Sequence, residues 1–314
     1  MNKDWAKQIE NFRYYLTLER SFSNNTVESY LMDCQKLITF LDDKYPDLTP
    51  KEVSLQILNE FVEQLEKKSK ADEEERLLRS STQTRIIQGI RALFKFLLMT
   101  DVIEQNPADH IITPYIDKKM PEILERSEIK QMMDAIDVST AYGFRNRLTI
   151  ELLYSTGMRV SEFINLRLSD IHYNEEYLDI IGKGNKERFI PIDGKVLQDL
   201  KLYIDRYRVH QKNMEEYTDF VFLSEKRGKK LTRQFIFTML KKTAERAGIH
   251  KKVHPHILRH SFATELIRGG ANIMAVKEIM GHTSITSTEV YVNLNVLDVK
   301  KTLYAYHPFF QNDK

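Results

Sequence analysis

His254-Pro255-His256-Ile257-Leu258-Arg259-His260-Ser261-Phe262-Ala263-Thr264 says more about this 314-residue chain than any other segment. Pro255 suits the first turn of a helix, where its missing N–H is one of the orphans anyway, and Gly269-Gly270 ends the run. Spacings of three (His256, Arg259) and four (His256, His260) allow all three to share a helix face. A cation between two histidines makes little structural sense unless an anion sits among them. A zinc hydrolase built on His254, His256 and His260 is one rival, since an i, i+4 pair can ligate zinc. Against it, Ile257 stands where H-E-x-x-H has glutamate, and Arg259 would repel a dication. His260 facing the apolar Phe262–Leu266 region, as a core histidine, is another.

Three further segments concentrate polar residues. In Ser155-Thr156-Gly157-Met158-Arg159-Val160-Ser161-Glu162, Gly157 is a natural C-cap for an apolar helix from Leu148 to Tyr154, and a new helix begins around Val160. Arg159 therefore sits in a tight corner beside a helix N-terminus, where a guanidinium can clamp an anion. Taken alone, the segment reads more simply as an arginine paired with Glu162. Tyr177–Ile181 and Glu187–Ile192 are β-prone runs flanking Gly182-Lys183-Gly184-Asn185-Lys186, which predicts a hairpin with a lysine at its tip. A lysine pKa of about 10.4 leaves Lys183 able to donate a proton at neutral pH. The P-loop spacing is absent, and basic tips are commonly just solvated. Finally, Asn272 caps a helix that ends at Gly281, followed by His282 and, nine residues later, Tyr291. With 15 tyrosines present, only the distance from His282 singles Tyr291 out.

The 42% hydrophobic content is ample for a packed core, and the length suggests two domains. The N-terminus is polar and no run approaches the roughly 18 apolar residues of a membrane span, so a cytoplasmic protein is expected. Cys34 is the only cysteine, which excludes an internal disulfide and a thiolate metal cluster and reads as a small core residue. Net charge is +2, split between a balance of −4 over residues 1–112 and +6 over the remainder. That asymmetry is compatible with nucleic-acid binding but does not require it.

Residues 1–112 read as a bundle of about four helices. One has its cap at Asn25, Glu28 three residues on, and a stripe of Val27, Tyr30, Leu31, Cys34, Leu37, Ile38 and Leu41. A second stripe comprises Ile86, Ile90, Leu93, Phe94 and Leu97, with weaker patterns at Ile9–Leu18 and Leu55–Leu65. The charged run Lys67 to Arg79 reads as a solvated loop or helix extension. Asn106-Pro107 and Thr113 to Pro121 look extended, which places a linker at 113–121 and a second domain at 122–314, whose first helix is capped by Ser127.

Taken together, TGMRVSE, IGKGNKER, HPHILRHSFAT and GH-x8-Y resemble, in order and spacing, the tyrosine recombinase (phage integrase-like) family, and most closely its bacterial Xer branch. The resemblance covers nearly the whole chain. It implies a mainly α protein with a small β-hairpin in its catalytic domain. It also implies a two-domain clamp on duplex DNA, formed with a helical core-binding (SAM-like) N-terminal domain. The family's catalytic set falls on Arg159, Lys183, His256, Arg259, His282 and Tyr291. The acidic balance of residues 1–112 is unexpected for half of such a clamp.

In that reading Tyr291 attacks a phosphodiester, and Arg159 and Arg259 stabilise the charge on the non-bridging oxygens. A phenol with a pKa near 10 needs a base, for which His256 is the candidate. His282 hydrogen-bonds the phosphate and Lys183 protonates the departing 5′-oxygen. The 3′-phosphotyrosyl bond conserves the linkage energy for religation, so the chemistry calls for no cofactor, neither ATP nor a metal. Implied partners are DNA at a specific site and a homo- or hetero-tetramer holding two duplexes, with a second recombinase or an activating protein. The tail from Leu294 to Phe310 is expected to be donated to a neighbouring subunit; the alternative is a helix packed on its own domain. The implied job is resolution of chromosome dimers at cell division, with integration of a phage or mobile element as the alternative.

Overall fold

Val27, Leu31, Cys34, Leu37, Ile38 and Leu41 are all buried along one helix, α2 (Asn24–Lys44), in a computed structural model of the chain. The structure describes residues 2–71, 80–113, 122–182, 187–212, 214–281 and 296–307. The cap of α2 is Ser23 and not Asn25: its hydroxyl accepts from the N–H of Thr26. Ser23, Asn24 and Asn25 all satisfy the N-cap preference, so local sequence could not choose among them.

Among the described residues this unit has three more α-helices: α1 (Lys3–Tyr14), which runs into a π-helical turn at Tyr15–Glu19, α3 (Leu55–Ala71) and α4 (Ser80–Met99). Ile86, Ile90, Leu93, Phe94 and Leu97 of α4 are fully buried, each stabilising the unit by roughly 1.5–3 kcal/mol before the entropy cost of ordering. Helices α2 and α4 approach closely because Gly89 has no side chain; a Cβ there would lie 2.9 Å from that of Asp33. Cys34 is fully buried as expected, and burial pushes its thiol up to about 12. Asn106-Pro107 does not form an extended linker. Pro107–His110 is a 3-10 turn capped by Asn106, and Arg91 of α4 holds the Ile111 carbonyl at 2.7 Å. Of the charged run, α3 includes positions to Ala71, while 72–79 lie outside the described residues, as do 114–121 of the expected linker.

The chain divides into two compact units, Met1–Lys119 and Met120–Lys314. The second begins with α5 (Arg126–Asp134), preceded by Glu125 at the cap position expected for Ser127. At its centre is α6 (Ala141–Thr156), buried on nearly every side through Leu148, Thr149, Ile150, Leu152, Leu153 and Tyr154. A helix buried on nearly every side belongs in a core, and α5, α8 (Gly194–Arg206) and α10 (Pro255–Arg268) pack directly on α6. The unit also holds α7 (Val160–Phe163), α9 (Arg233–Arg246) and α11 (Ile273–Ile279). The expected hairpin is present as β2 (Tyr177–Ile181) and β3 (Glu187–Pro191), antiparallel with Ile180 opposite Arg188. Its tip, 183–186, lies outside the described residues. A third strand, β1 (Ile171–His172), pairs with β2; two residues are too few to show alternation in sequence. Among the described residues the architecture is thus mainly α with one small antiparallel sheet.

The tail is helical over part of its length. Helix α12 (Val296–Tyr306) packs on its own unit, against α10, α11 and β3, with Leu303 and His307 fully buried. The His307 ring packs at a tilt against Tyr154 and Phe262, with ring centroids 5.2 Å away in each case. Tyr306 lies over Gly269, where an added Cβ would come within 2.8 Å of its carbonyl oxygen. The apolar spacing of the tail was right for burial.

Candidate active site

Helix α6 stops because Gly157 takes a left-handed conformation (φ 60°), and Arg159 then occupies the cap position of α7. Phe262 packs so close that a Cβ on Gly157 would meet its ring at 2.3 Å. The Arg159 guanidinium is held twice. Its Nη1 donates to Glu162 Oε1 at 2.9 Å, while the Arg159 backbone N–H donates to Oε2 at 2.7 Å. Its Nη2 donates to the Gly281 carbonyl at 2.8 Å. The simple pairing with Glu162 is therefore real, and it is only part of what Arg159 does.

Arg259 of α10 is buried (6% exposed), and its two Nη atoms donate to the carbonyls of Gly157 and Met280. Those carbonyls lie at the ends of α6 and α11, where helices leave acceptors without intrahelical partners. Arg159 and Arg259 thus tie the same two chain ends together, through adjacent carbonyls at 280 and 281. Burial, and then repulsion from Arg159, push Arg259 down to about 10, which still leaves it charged at neutral pH. Burial pushes the Glu162 carboxyl up, but the Arg188 guanidinium, with the N–H and guanidinium of Arg159, brings it below its usual range.

Helix α10 does not present its three polar residues alike. Arg259 is buried, whereas His256 and His260 are exposed, so His260 is not a core histidine. His254 is the N-cap: its Nδ1 accepts from the N–H of Ile257 at 3.3 Å. That bond needs a neutral Nδ1, and burial followed by the nearby His256 lowers the pKa of His254 accordingly. No cluster of three or more histidine, cysteine or acidic residues arranged for a metal occurs among the described residues. Lys183, His282 and Tyr291 lie outside the described residues. Gly281, directly before His282 in sequence, is the residue bonded to Arg159.

Two models of one family match this chain in tandem: the N-terminal SAM-like domain of phage integrases over residues 9–100 and the phage integrase family itself over residues 122–297. The chain is 35% identical to the tyrosine recombinase XerD of Oceanobacillus iheyensis, covering 96% of this chain and 98% of the relative. It is 33% identical to the XerD of Chlorobaculum tepidum, over 97% of each. The chain belongs to the phage integrase family of tyrosine recombinases. Its fold is that of the Tn1549 transposon integrase solved with a circular intermediate DNA (TM-score 0.69, 19% identity, 95% and 94% of the two chains). It is shared with the XerH site-specific recombinase solved on difH (TM-score 0.65, 21% identity, 89% and 90%).

Within this recombinase, residue-by-residue reading underrated Glu162 and missed Arg188. Glu162 was visible only as a salt-bridge partner, yet it is 4% exposed at the side chain and serves two arginines. Arg188 lies in the IGKGNKER segment among ordinary hairpin charges, and nothing in the local pattern marks it as buried. In the recombinase its side chain is only 14% exposed, with Nη1 and Nη2 on the two oxygens of Glu162 at 3.0 and 2.7 Å.

Proposed function

We propose that this recombinase breaks and rejoins DNA strands at a specific site, using Tyr291 as nucleophile and Arg159 and Arg259 to stabilise the phosphorus centre. The observation that carries the reading is that two guanidiniums are fastened to adjacent carbonyls, close enough for one to depress the pKa of the other. Glu162 offsets only one of the three guanidinium charges gathered here by Arg159, Arg188 and Arg259, and a phosphodiester is an anion that would balance the excess.

In the proposed step the Tyr291 phenol oxygen forms a bond to phosphorus as the bond from phosphorus to the 5′-oxygen breaks. The phenol proton passes to His256, whose exposure on α10 suits contact with an incoming substrate. Lys183 supplies the proton that the 5′-oxygen takes up, and His282 donates to a non-bridging oxygen. The pentacoordinate transition state carries added negative charge, so each arginine contributes about 10²–10³ in rate. Reversal with the 5′-hydroxyl of a second strand as nucleophile completes strand exchange and restores the phenol.

The substrate is duplex DNA, gripped by both units, with four copies of the chain, or two pairs of related recombinases, on two duplexes. Identity of 31–35% to several XerD proteins over nearly the full length supports an Xer-like job, the resolution of chromosome dimers at cell division in the cytoplasm. The test is a nicked duplex bearing the site selected by this protein from random-sequence DNA. Wild type should accumulate a covalent adduct whose linked peptide, by mass spectrometry, contains Tyr291. Tyr291→Phe should bind equally and form none. An adduct on Tyr304 or Tyr306 instead would overturn the assignment.

A further inference from the structure

Arg188 has no role in the reaction as described above, yet it is placed where it bears directly on Arg159. It projects from β3, opposite Ile180 and close to the hairpin turn, toward the buried Glu162. Each Glu162 oxygen accepts one bond from each arginine chain. Oε1 takes Nη1 of Arg188 (3.0 Å) and Nη1 of Arg159 (2.9 Å); Oε2 takes Nη2 of Arg188 (2.7 Å) and the Arg159 backbone N–H (2.7 Å). Arg188 also lies against Gly281, where an added Cβ would fall 3.0 Å from its Nη1. The fork of Arg188 therefore takes the bidentate face of the carboxylate, and Arg159 reaches it with a single Nη. The other Nη of Arg159 is turned to the Gly281 carbonyl. A buried carboxylate that lost one of two cations would draw the remaining one fully onto itself, because bidentate pairing is the strongest arrangement open to it.

We propose that Arg188 is a positioning residue for strand cleavage: by occupying the bidentate face of Glu162 it keeps Arg159 from collapsing onto that carboxylate and leaves its guanidinium aimed at the phosphate. The inference rests on Arg159 acting at the phosphate, as set out above. Arg188 itself touches no reacting atom in this scheme. A change of about 1 Å in where a stabilising group sits can cost on the order of 10²-fold in rate without altering how tightly substrate binds.

The test compares DNA affinity with single-turnover cleavage of the nicked duplex described above, in full-length protein. Arg188→Gln should cleave about 10- to 100-fold more slowly, with Kd within about threefold of wild type. Arg188→Lys keeps the charge and guards against a folding failure, but a point charge cannot make the fork, so it should still cleave at least about fivefold slower. In an Arg159→Ala background, Arg188→Gln should cost nothing further, since its target is gone. Cleavage at the wild-type rate by either Arg188 variant, or a full additional loss on top of Arg159→Ala, would overturn the proposal. Wild-type cleavage by Arg159→Ala itself would instead bring down the underlying reading of the site, and this inference with it.

Discussion

Arg159 Nη2 lies 2.8 Å from the carbonyl oxygen of Gly281, a hydrogen bond between residues 122 positions apart. It fastens the corner between α6 and α7 to the end of α11, and Arg259 does the same through Gly157 and Met280. The candidate site is therefore a junction of helix ends, and its geometry depends on how those ends are capped.

Gly157 is the most exacting of these caps. Gly157→Ala would put a Cβ into a left-handed conformation and against the Phe262 ring. The backbone penalty of about 1–2 kcal/mol and overpacking of about 1–3 kcal/mol together predict a loss of roughly 2–5 kcal/mol. Urea unfolding should show the midpoint falling at unchanged m, and cleavage should fall further than the unfolded fraction explains. A variant as stable and as active as wild type would contradict this account of the corner.

Arg259 should tolerate no substitute. One ammonium cannot reach the carbonyls of Gly157 and Met280 and also a phosphate with a planar fork. Arg259→Ala is expected to slow single-turnover cleavage by about 10²–10³-fold, and Arg259→Lys to recover little of it. Recovery to near the wild-type rate by lysine would mean that charge alone matters at this position.

Phosphate contacts should dominate affinity for DNA. Six to ten such contacts imply that the association constant falls by about 10³–10⁵ between 50 and 200 mM salt. Fluorescence anisotropy titrations at several salt concentrations measure the slope. A flat response would count against a clamp on duplex DNA, whatever the catalytic residues do.

Acid should destabilise the catalytic unit through His307. Burial, with the charge of Arg126 adding to it and a backbone hydrogen bond to Tyr154 opposing, pushes this imidazole down to about 3. Below pH about 6.5 the unfolded chain takes up a proton that the native chain refuses, so stability is complete above that pH and declines as pH falls toward about 3. The slope approaches roughly 1.4 kcal/mol per pH unit. His254, also lowered, acts in the same direction, so the decisive comparison is with His307→Gln. Between pH 7 and 5 the variant should lose less stability than wild type, the carboxylates being common to both; equal losses would rule His307 out as the source.

By itself the sequence determined the helices, the hairpin and the family. Apolar residues recurring on one face of α2 and α4 must be buried, and they are. TGMRVSE, HPHILRHSFAT and the glycine caps announce themselves because local backbone conformation depends on local residues. Tertiary structure alone decided which cation meets which acceptor. Arg259 could have pointed to either side of α10, and only packing buried it while leaving His256 and His260 exposed. Arg188 and Glu162 are 26 residues apart on different elements, so no periodicity could pair them. The spacing around Leu303 asked for an apolar neighbour, and Leu303 is fully buried in the core of the second unit. Burial patterns are written along a chain because they repeat with the backbone; ion pairs are set by where distant elements come to rest.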